Sequence, residues 1–353
     1  MSFRNSRLRM RRVRVKVVLL LCIGSFWLVS AQERQEWRTI KLLPAQADGE
    51  TNSGKSGSIS KIPILESVFF HDSNTGWVVG DAGLIVTTRD GGKTWTGKRI
   101  DLSLNLSGTF FHNELHGWVV GNANGFGVML RTDDGGRNWR SQSHIEGFEL
   151  SAFHDIWFVD DRHGWAIGEA QQKGVTQALI IATTNGGDDW SVQYLGEKRS
   201  SALHRIKFVD SRHGWVVGHN VILFTQNAGQ NWTEQHYVPN QYFFDIDFVN
   251  LSEGWVVGSA GLLLHTLDGG RTWRSAGLLP SKYQKVWLAS VGFSDSHRGW
   301  IAGDEGTIFG TTDGGQTWKL ETVGRSEYLR SLAVTKHGVF AVGNTGIILR
   351  RQI

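Results

Sequence analysis

Along the chain, short apolar runs alternate with polar, glycine-rich turns, and nowhere do apolar positions recur every three to four residues as on an amphipathic helix. The runs belong to a unit that repeats. Each unit opens on a strand whose last large apolar residue stands six positions before a glycine: Phe70, Phe111, Phe158, Phe208, Phe248, Phe293 and, in the last copy, Leu332. A polar turn such as Asp210-Ser211-Arg212-His213 leads into a Gly-Trp-x-x-Gly string at residues 76–80, 117–121, 164–168, 214–218, 254–258 and 299–303, with a weaker seventh copy at 338–343. Tight turns such as Asp81-Ala82-Gly83 then open a third run, as in Leu84-Ile85-Val86-Thr87. The second and third runs are apolar at consecutive positions, which predicts strands covered on both faces.

The third strand ends in the most specific string of the chain, Thr-x-Asp-Gly-Gly-x-Thr-Trp, at residues 88–95, 132–139, 183–190, 225–232, 266–273 and 311–318. Its chemistry suits a hairpin. The carboxylates of Asp90, Asp134, Asp268 and Asp313, and the amides of Asn185 and Asn227 in the same place, can accept bonds from backbone N–H groups further on, while Gly supplies positive φ. The Trp then opens an outer strand and covers the apolar side of its unit. A buried Trp removes some 150–250 Å² from water, worth roughly 4–6 kcal/mol as an upper bound.

Successive closing glycines are 41, 47, 50, 40, 45 and 40 residues apart. That spacing, with four short strands per unit, predicts an all-β fold, a seven-bladed β-propeller. The seventh copy stops at Ile347-Ile348-Leu349-Arg350 without a Trp, whereas Trp37-Arg38-Thr39-Ile40 near the N-terminus looks like the missing outer strand. The N-terminal strand is therefore expected to complete the last blade and close the ring, leaving no open edge. Residues 32–353 then form one domain, with the Gly- and Ser-rich residues 45–60 as a flexible loop.

Composition now has a simple reading. The 44 Gly and 16 Trp are largely repeat positions, since twelve of the Trp occupy two places in six units. The single Cys, Cys22, lies in residues 1–31, which carry seven basic residues and no acid before the apolar run Val17 to Val29 and the small residues Ser30 and Ala31. This is the layout of a signal peptide cleaved after Ala31, with an uncleaved anchor helix as the competing reading, so export to a periplasm, a thylakoid lumen or the extracellular space is expected. The formal charge of +4 belongs to that leader. Without it 30 basic residues face 33 acidic ones, which argues against nucleic acid as a partner.

The hairpin string resembles the Asp-box, or BNR repeat, of sialidases and other exported propellers. Together with Gly-Trp-(Ala/Val)-Val-Gly in seven copies behind a leader, the pattern resembles the photosystem II stability and assembly factor family over roughly residues 37 to 353. The resemblance implies a non-catalytic protein that binds newly made membrane polypeptides at a membrane surface through an Arg-rich patch. The nearest counterpart of that patch is Arg199, Arg205 and Lys207, before and within the fourth inner strand. The expected partner is a protein, an assembly intermediate, with peripheral membrane association and a monomeric propeller.

On the residues themselves, the partner site is expected where the chain enters the inner strands. Trp157, Tyr242, Trp287 and Arg330 gather there with Arg205 and Lys207, and Arg with Tyr and Trp is the mixture enriched at interface hot spots. A polar network filling the propeller channel is the competing reading of the same residues. On the other side His116, His163, His213, His297 and His337, in turns beside Arg162, Arg212 and Arg298, suggest a basic rim that charges further in acid. The Asp-box residues are expected to be structural, one per unit and too far apart to share a ligand. No metal or cofactor is expected. The alternative function is a cell-surface carbohydrate-binding or sialidase-like glycosidase propeller. Against catalysis, the Arg-Ile-Pro string that carries a sialidase's first clamp Arg is replaced by Lys61-Ile62-Pro63, and Lys cannot form the bidentate fork.

Overall fold

The computed structural model describes residues 36–40, 62–142, 149–172, 174–196, 202–277, 279–321 and 323–353. The leader, the loop at 45–60 and Arg199 lie outside the described residues. The fold is an all-β propeller. Seven inner strands, Leu65–Phe70, Leu104–Phe111, Glu149–Phe158, Leu203–Phe208, the second half of Thr233–Phe248, Leu288–Phe293 and Leu329–Thr335, pack side by side around a central channel, the last against the first. Arg38–Ile40 pairs antiparallel with Ile348–Arg351, so a strand from the N-terminus joins the last sheet. Trp37 Nε1 donates to Glu321 Oε2 at 2.7 Å, and Arg351 pairs with the same carboxylate.

The hydrogen-bonded sheets number six among the described residues, not the seven expected from the repeat count. Five have four strands; the fourth and fifth repeats share one of six. The reason is local. In the fourth repeat the turn between second and third strands is His219-Asn220, one residue shorter than Asp81-Ala82-Gly83, so Gly214–Thr225 runs on as one strand bent at Asn220, φ 69°. Its partner Thr233–Phe248 is likewise unbroken, with a bend at Asn240, φ 59°, and His219 pairs with Tyr242 across the junction.

The repeated residues each have a contact to answer for. The second-strand Trp lies flat on the inner-strand Phe of the following repeat, as Trp77 on Phe111 at 3.6 Å and 5°, or Trp255 on Phe293 at 3.5 Å and 11°. The Asp-box Trp meets the Phe of its own repeat edge-on, as Trp139 meets Phe111 at 88° and Trp318 meets Phe293 at 87°. One ring is thus clamped between two indoles, which is how neighbouring sheets are cemented. In the seventh repeat Phe340 replaces the Trp and stacks on Phe70 at 4.4 Å. There the residue in register with Phe70 is Val334, not Leu332, because a shorter turn pairs Thr335 with Gly338. The two glycines of each string are fixed by close approach: a Cβ on Gly76 would sit 2.8 Å from the Phe70 ring, and one on Gly80 would run into the Ile64 carbonyl.

The Asp-box side chains bond within their own hairpins. Asp90 Oδ1 accepts from Thr94 N and Thr88 Oγ1, both at 2.9 Å, and Asp90 Oδ2 accepts from Thr94 Oγ1 at 2.7 Å. Asp134, Asp268 and Asp313 repeat the pattern. In the third repeat the polarity is exchanged: Asn185 Nδ2 donates to Asp189 Oδ2 at 2.9 Å, so the Asn is matched by an acid where other repeats carry a donor. In the fourth, Asn227 Oδ1 accepts from Asn231 N at 3.0 Å.

Among the described residues no helix is long and apolar enough to cross a membrane.

Candidate functional site

Every inner strand carries a register shift at the same place: between Leu65 and Ser67, Leu106 and Gly108, Phe153 and Asp155, Leu203 and Arg205, Phe243 and Asp245, Leu288 and Ser290, Leu329 and Ser331. A bulge inserts one residue and re-aims its neighbours. Residues at the second and third strand positions, such as Glu66 and Ser67, both line the channel as a result. Counted around the ring, the second position gives an upper tier facing the loops that enter each repeat, the third a waist, and the fifth a lower tier facing the Asp-box hairpins.

The waist is a hydrogen-bonded girdle. Asp155 Oδ2 accepts from Ile206 N at 3.1 Å, Asp245 Oδ2 from Val291 N at 2.9 Å, Ser290 Oγ from Leu332 N at 3.0 Å, and Ser331 Oγ from Val68 N at 3.3 Å. Each bond ties one repeat to the next. Gly108 completes the waist because a Cβ there would stand 2.9 Å from the Asp155 Cα and the His154 carbonyl.

Arg205 spans this girdle, with Nε 3.1 Å from Asp245 Oδ1 and Nη1 3.6 Å from Asp155 Oδ1. Burial alone would lower its pKa, but Asp245 and Asp155 raise it above the usual guanidinium value. Burial raises the Asp155 pKa against the pull of Arg205. Lys207 reaches Asp247 Oδ1 at 2.8 Å and lies 4.9 Å over the Trp157 ring; burial opposes its charge, and Asp247 more than restores it. Arg205 and Lys207 are therefore internal ion pairs, and the expectation of an exposed basic patch at these two residues is corrected: the bulged strand turns them inward, where three carboxylates hold them. Replacing either with Glu would set like charges together in the channel.

Arg205 separates two cavities. The lower, about 680 Å³, is bordered by Phe69, Phe110, Trp157, Lys207 and Asp247. The upper, about 470 Å³, is bordered by Glu66, His154, His204, Phe244, Tyr328 and Arg330. Arg330 donates to Glu66 Oε2 at 3.1 Å and Asn344 Oδ1 at 2.9 Å, and its guanidinium lies 5.1 Å over Tyr328. Burial raises the Glu66 pKa, with Arg330 pulling the other way. His204 is held neutral, its pKa lowered to about 4 by burial and then by the adjoining His154, and its Nε2 has no hydrogen-bond partner.

Beside the upper mouth stand the two aromatic candidates that solvent does reach. Trp287 is 52% exposed and Tyr242 43%. They form the outer end of a continuous track: Trp287 to Phe244 at 5.6 Å, Tyr242 to Phe244 at 6.2 Å, Phe244 to His204 at 5.8 Å, and His204 to His154 at 6.0 Å. Tyr242 also stacks on His219 at 4.4 Å and 11°. The structure thus brings Tyr242, Trp287 and Arg330 together on one face and draws Arg205, Lys207 and Trp157 into the channel below.

The sequence profile of photosynthesis system II assembly factor YCF48 matches residues 58–146, 142–239, 198–288, 235–327 and 279–352. The chain belongs to this YCF48 family. Among solved structures, YCF48 from Cyanidioschyzon merolae is 20% identical with a TM-score of 0.67, covering 90% of this chain and 99% of that one. YCF48 bound to D1 peptide is 19% identical, again with a TM-score of 0.67, covering 90% and 97%. A catalytically inactive virginiamycin B lyase from Staphylococcus aureus with quinupristin, 13% identical, reaches 0.68 over 90% and 99%. At these identities the likeness speaks for the fold. No curated protein sequence matches the chain.

Glu66, Phe244 and Asp247 escape a reading that looks for Arg, Tyr and Trp. Aligning the second, third and fifth position of every inner strand picks them out, since those are the places the repeat leaves free to vary. The suggested basic rim is also altered. Two of its histidines sit on acids of their own turns, His163 Nδ1 2.9 Å from Asp160 Oδ2 and His213 Nδ1 2.9 Å from Asp210 Oδ2, so these two turns carry both signs. Among the described residues no group of three or more His, Cys, Asp and Glu is placed to hold a metal ion.

Proposed function

We propose that this YCF48-family chain is a non-catalytic, protein-binding assembly factor that captures a segment of a photosystem II polypeptide on the face bearing Tyr242, Trp287 and Arg330. The observation that carries the reading is the exposed aromatic track running from Trp287 and Tyr242 into the upper cavity, since rigid aromatics at the edge of a pocket are the usual anchors of protein interfaces. Family membership and the relative solved with a D1 peptide support the choice of partner. The channel arginines are both engaged by carboxylates, which leaves no free clamp for a carboxylated sugar and favours binding over glycoside hydrolysis.

The proposal includes the leader: the chain works after export, in a periplasm or thylakoid lumen, as a monomer in contact with a membrane. It also takes the shared six-stranded sheet as two blades, each with its own Asp-box, so that the ring functions as seven. The test is calorimetric titration of the wild-type propeller and of Trp287→Ala and Tyr242→Ala with a D1-type peptide. Each variant is expected to lose about tenfold or more in affinity with an unchanged urea midpoint, the usual size for a hot-spot aromatic. Unchanged affinity in both would remove this face from the site. N-terminal sequencing of the exported protein tests the leader, a start at Gln32 being the expected result.

A further inference from the structure

The lower cavity lies on the other side of Arg205 from the proposed partner face and is built differently. Its fifth-position tier divides into three sectors. Phe69, Phe110 and Trp157 form an aromatic wall, with ring centroids 4.9 Å apart for the first pair and 5.5 Å for the second. Lys207 and Asp247 form an ion pair at 2.8 Å, and the third sector is made of Gly292, against which the Val334 side chain stands, and Ala333. The cavity they border holds about 680 Å³.

The electrostatics favour one class of ligand. Three acids, Asp155, Asp245 and Asp247, stand against the two cations Arg205 and Lys207, so neither cation is left free. Aromatic rings present negative faces, and the wall already accepts a cation from the chain itself: Lys207 Nζ lies 4.9 Å over Trp157 while held by Asp247. An anion would find both cations already engaged by carboxylates. A purely apolar ligand would cover the ion pairs without giving them hydrogen bonds, which is costly.

We propose that the lower channel is a binding site for an aliphatic organic cation, a guanidinium or primary ammonium head seated on the Phe69–Phe110–Trp157 wall with its arm against Ala333 and Val334. Such a head could come from a free amine or from an Arg or Lys side chain of a polypeptide. The site stands independently of the partner face, because the Arg205 girdle divides the two.

The experiment titrates the full propeller at pH 8 with butylguanidinium and with butylurea, which has the same shape and no charge, followed by saturation-transfer NMR. Butylguanidinium is expected to bind about tenfold more tightly than butylurea. Trp157→Leu, which removes the ring and keeps apolar bulk, and Ala333→Trp, which fills the third sector, should each weaken it by a similar factor, while Trp287→Ala leaves it unchanged. A third probe, an acetylated and amidated Gly-Arg-Gly peptide, separates the sources: tighter binding than butylguanidinium points to a polypeptide side chain, equal or weaker binding to a free amine. Equal binding of the urea, indifference to Ala333→Trp, or no saturation transfer from butylguanidinium would each overturn the proposal, whatever the partner titration on the upper face shows.

Discussion

Replacing Arg205 with Met is the sharpest test of the channel reading. The side chain keeps its length and apolar stem, while the charge that faces Asp245 at 3.1 Å and Asp155 at 3.6 Å disappears. At an effective dielectric near 20, each contact of this length is worth about 4 kcal/mol of attraction. Part of that is returned, because the guanidinium no longer has to be stripped of water. Breaking a buried pair by removing one partner costs about 3–5 kcal/mol on balance, since the other charge is left uncompensated.

The variant has one escape, which gives the prediction a second dimension. One of the two carboxylates can take a proton, at a cost of about 1.4 kcal/mol for each pH unit above its pKa. Burial already raises the Asp155 pKa, and loss of Arg205 raises it further. An acid whose pKa is raised in the folded state binds an extra proton there, so its contribution is present at low pH and lost as pH rises through the folded value. The penalty of Arg205→Met must therefore grow as pH rises above the ordinary carboxylate range. Urea unfolding followed by Trp fluorescence at four pH values measures it. The double variant Arg205→Met with Asp245→Asn should regain much of the loss, because the Asn oxygen can still accept from Val291 N and Ser290 Oγ, which lie 2.9 and 2.6 Å from Asp245 Oδ2. A wild-type midpoint at pH 8, or a penalty that ignores pH, would show that Arg205 is not the internal counter-ion described.

Further outcomes are expected at other places. The Asp-box carboxylates of Asp134 and Asp268 are held at about 2 by backbone N–H bonds from Asn138 and Thr272, and that of Asp313 by the Thr317 hydroxyl and N–H. Asp90 is also at about 2, burial being outweighed by Thr94. Because these pKa values are depressed, their stabilisation is full above pH 4 and fades as pH falls from 4 toward 2; changing all four to Asn, as Asn185 and Asn227 already are, should flatten the fall of the urea midpoint over that window. Gly121→Ala would drive a Cβ into the Asn105 backbone carbonyl, which cannot swing aside, and should cost about 3 kcal/mol by the same urea assay. Thr345 is a β-branched residue at φ 61°, so Thr345→Gly should gain about 1 kcal/mol, seen as a raised midpoint.

How much of this could be read from the chain follows from what each residue touches. Trp77, Phe111 and Gly117 recur because a stacked indole, its ring partner and a backbone close enough to exclude a Cβ form one indivisible contact, and the contact must be remade at every junction. Such positions announce themselves by repetition. The six-sheet count did not, because it turns on a single missing residue at His219-Asn220, and periodicity tolerates one deletion without complaint.

The channel was the hardest part to read for the opposite reason. Its tiers hold Glu66, His154, His204, Phe244 and Arg330 at one equivalent position, and Phe69, Trp157, Lys207, Asp247 and Ala333 at another. Apart from His154 beside His204 and Phe69 beside Phe110, neighbours differ, so averaging the repeats blurs them. Yet the bulge that turns them inward is present in all seven strands, which means the backbone prescribes where these side chains point and leaves their chemistry open. In a ring of equal units, a ligand can be distinguished only by what breaks the equality. The variable tiers and the residues just ahead of them, such as Tyr242 and Trp287, rather than the repeated Asp-box, are therefore where recognition is expected, and Arg205 shows the limit of that rule: where two acids on neighbouring strands answer it, variation has been spent on holding the ring together.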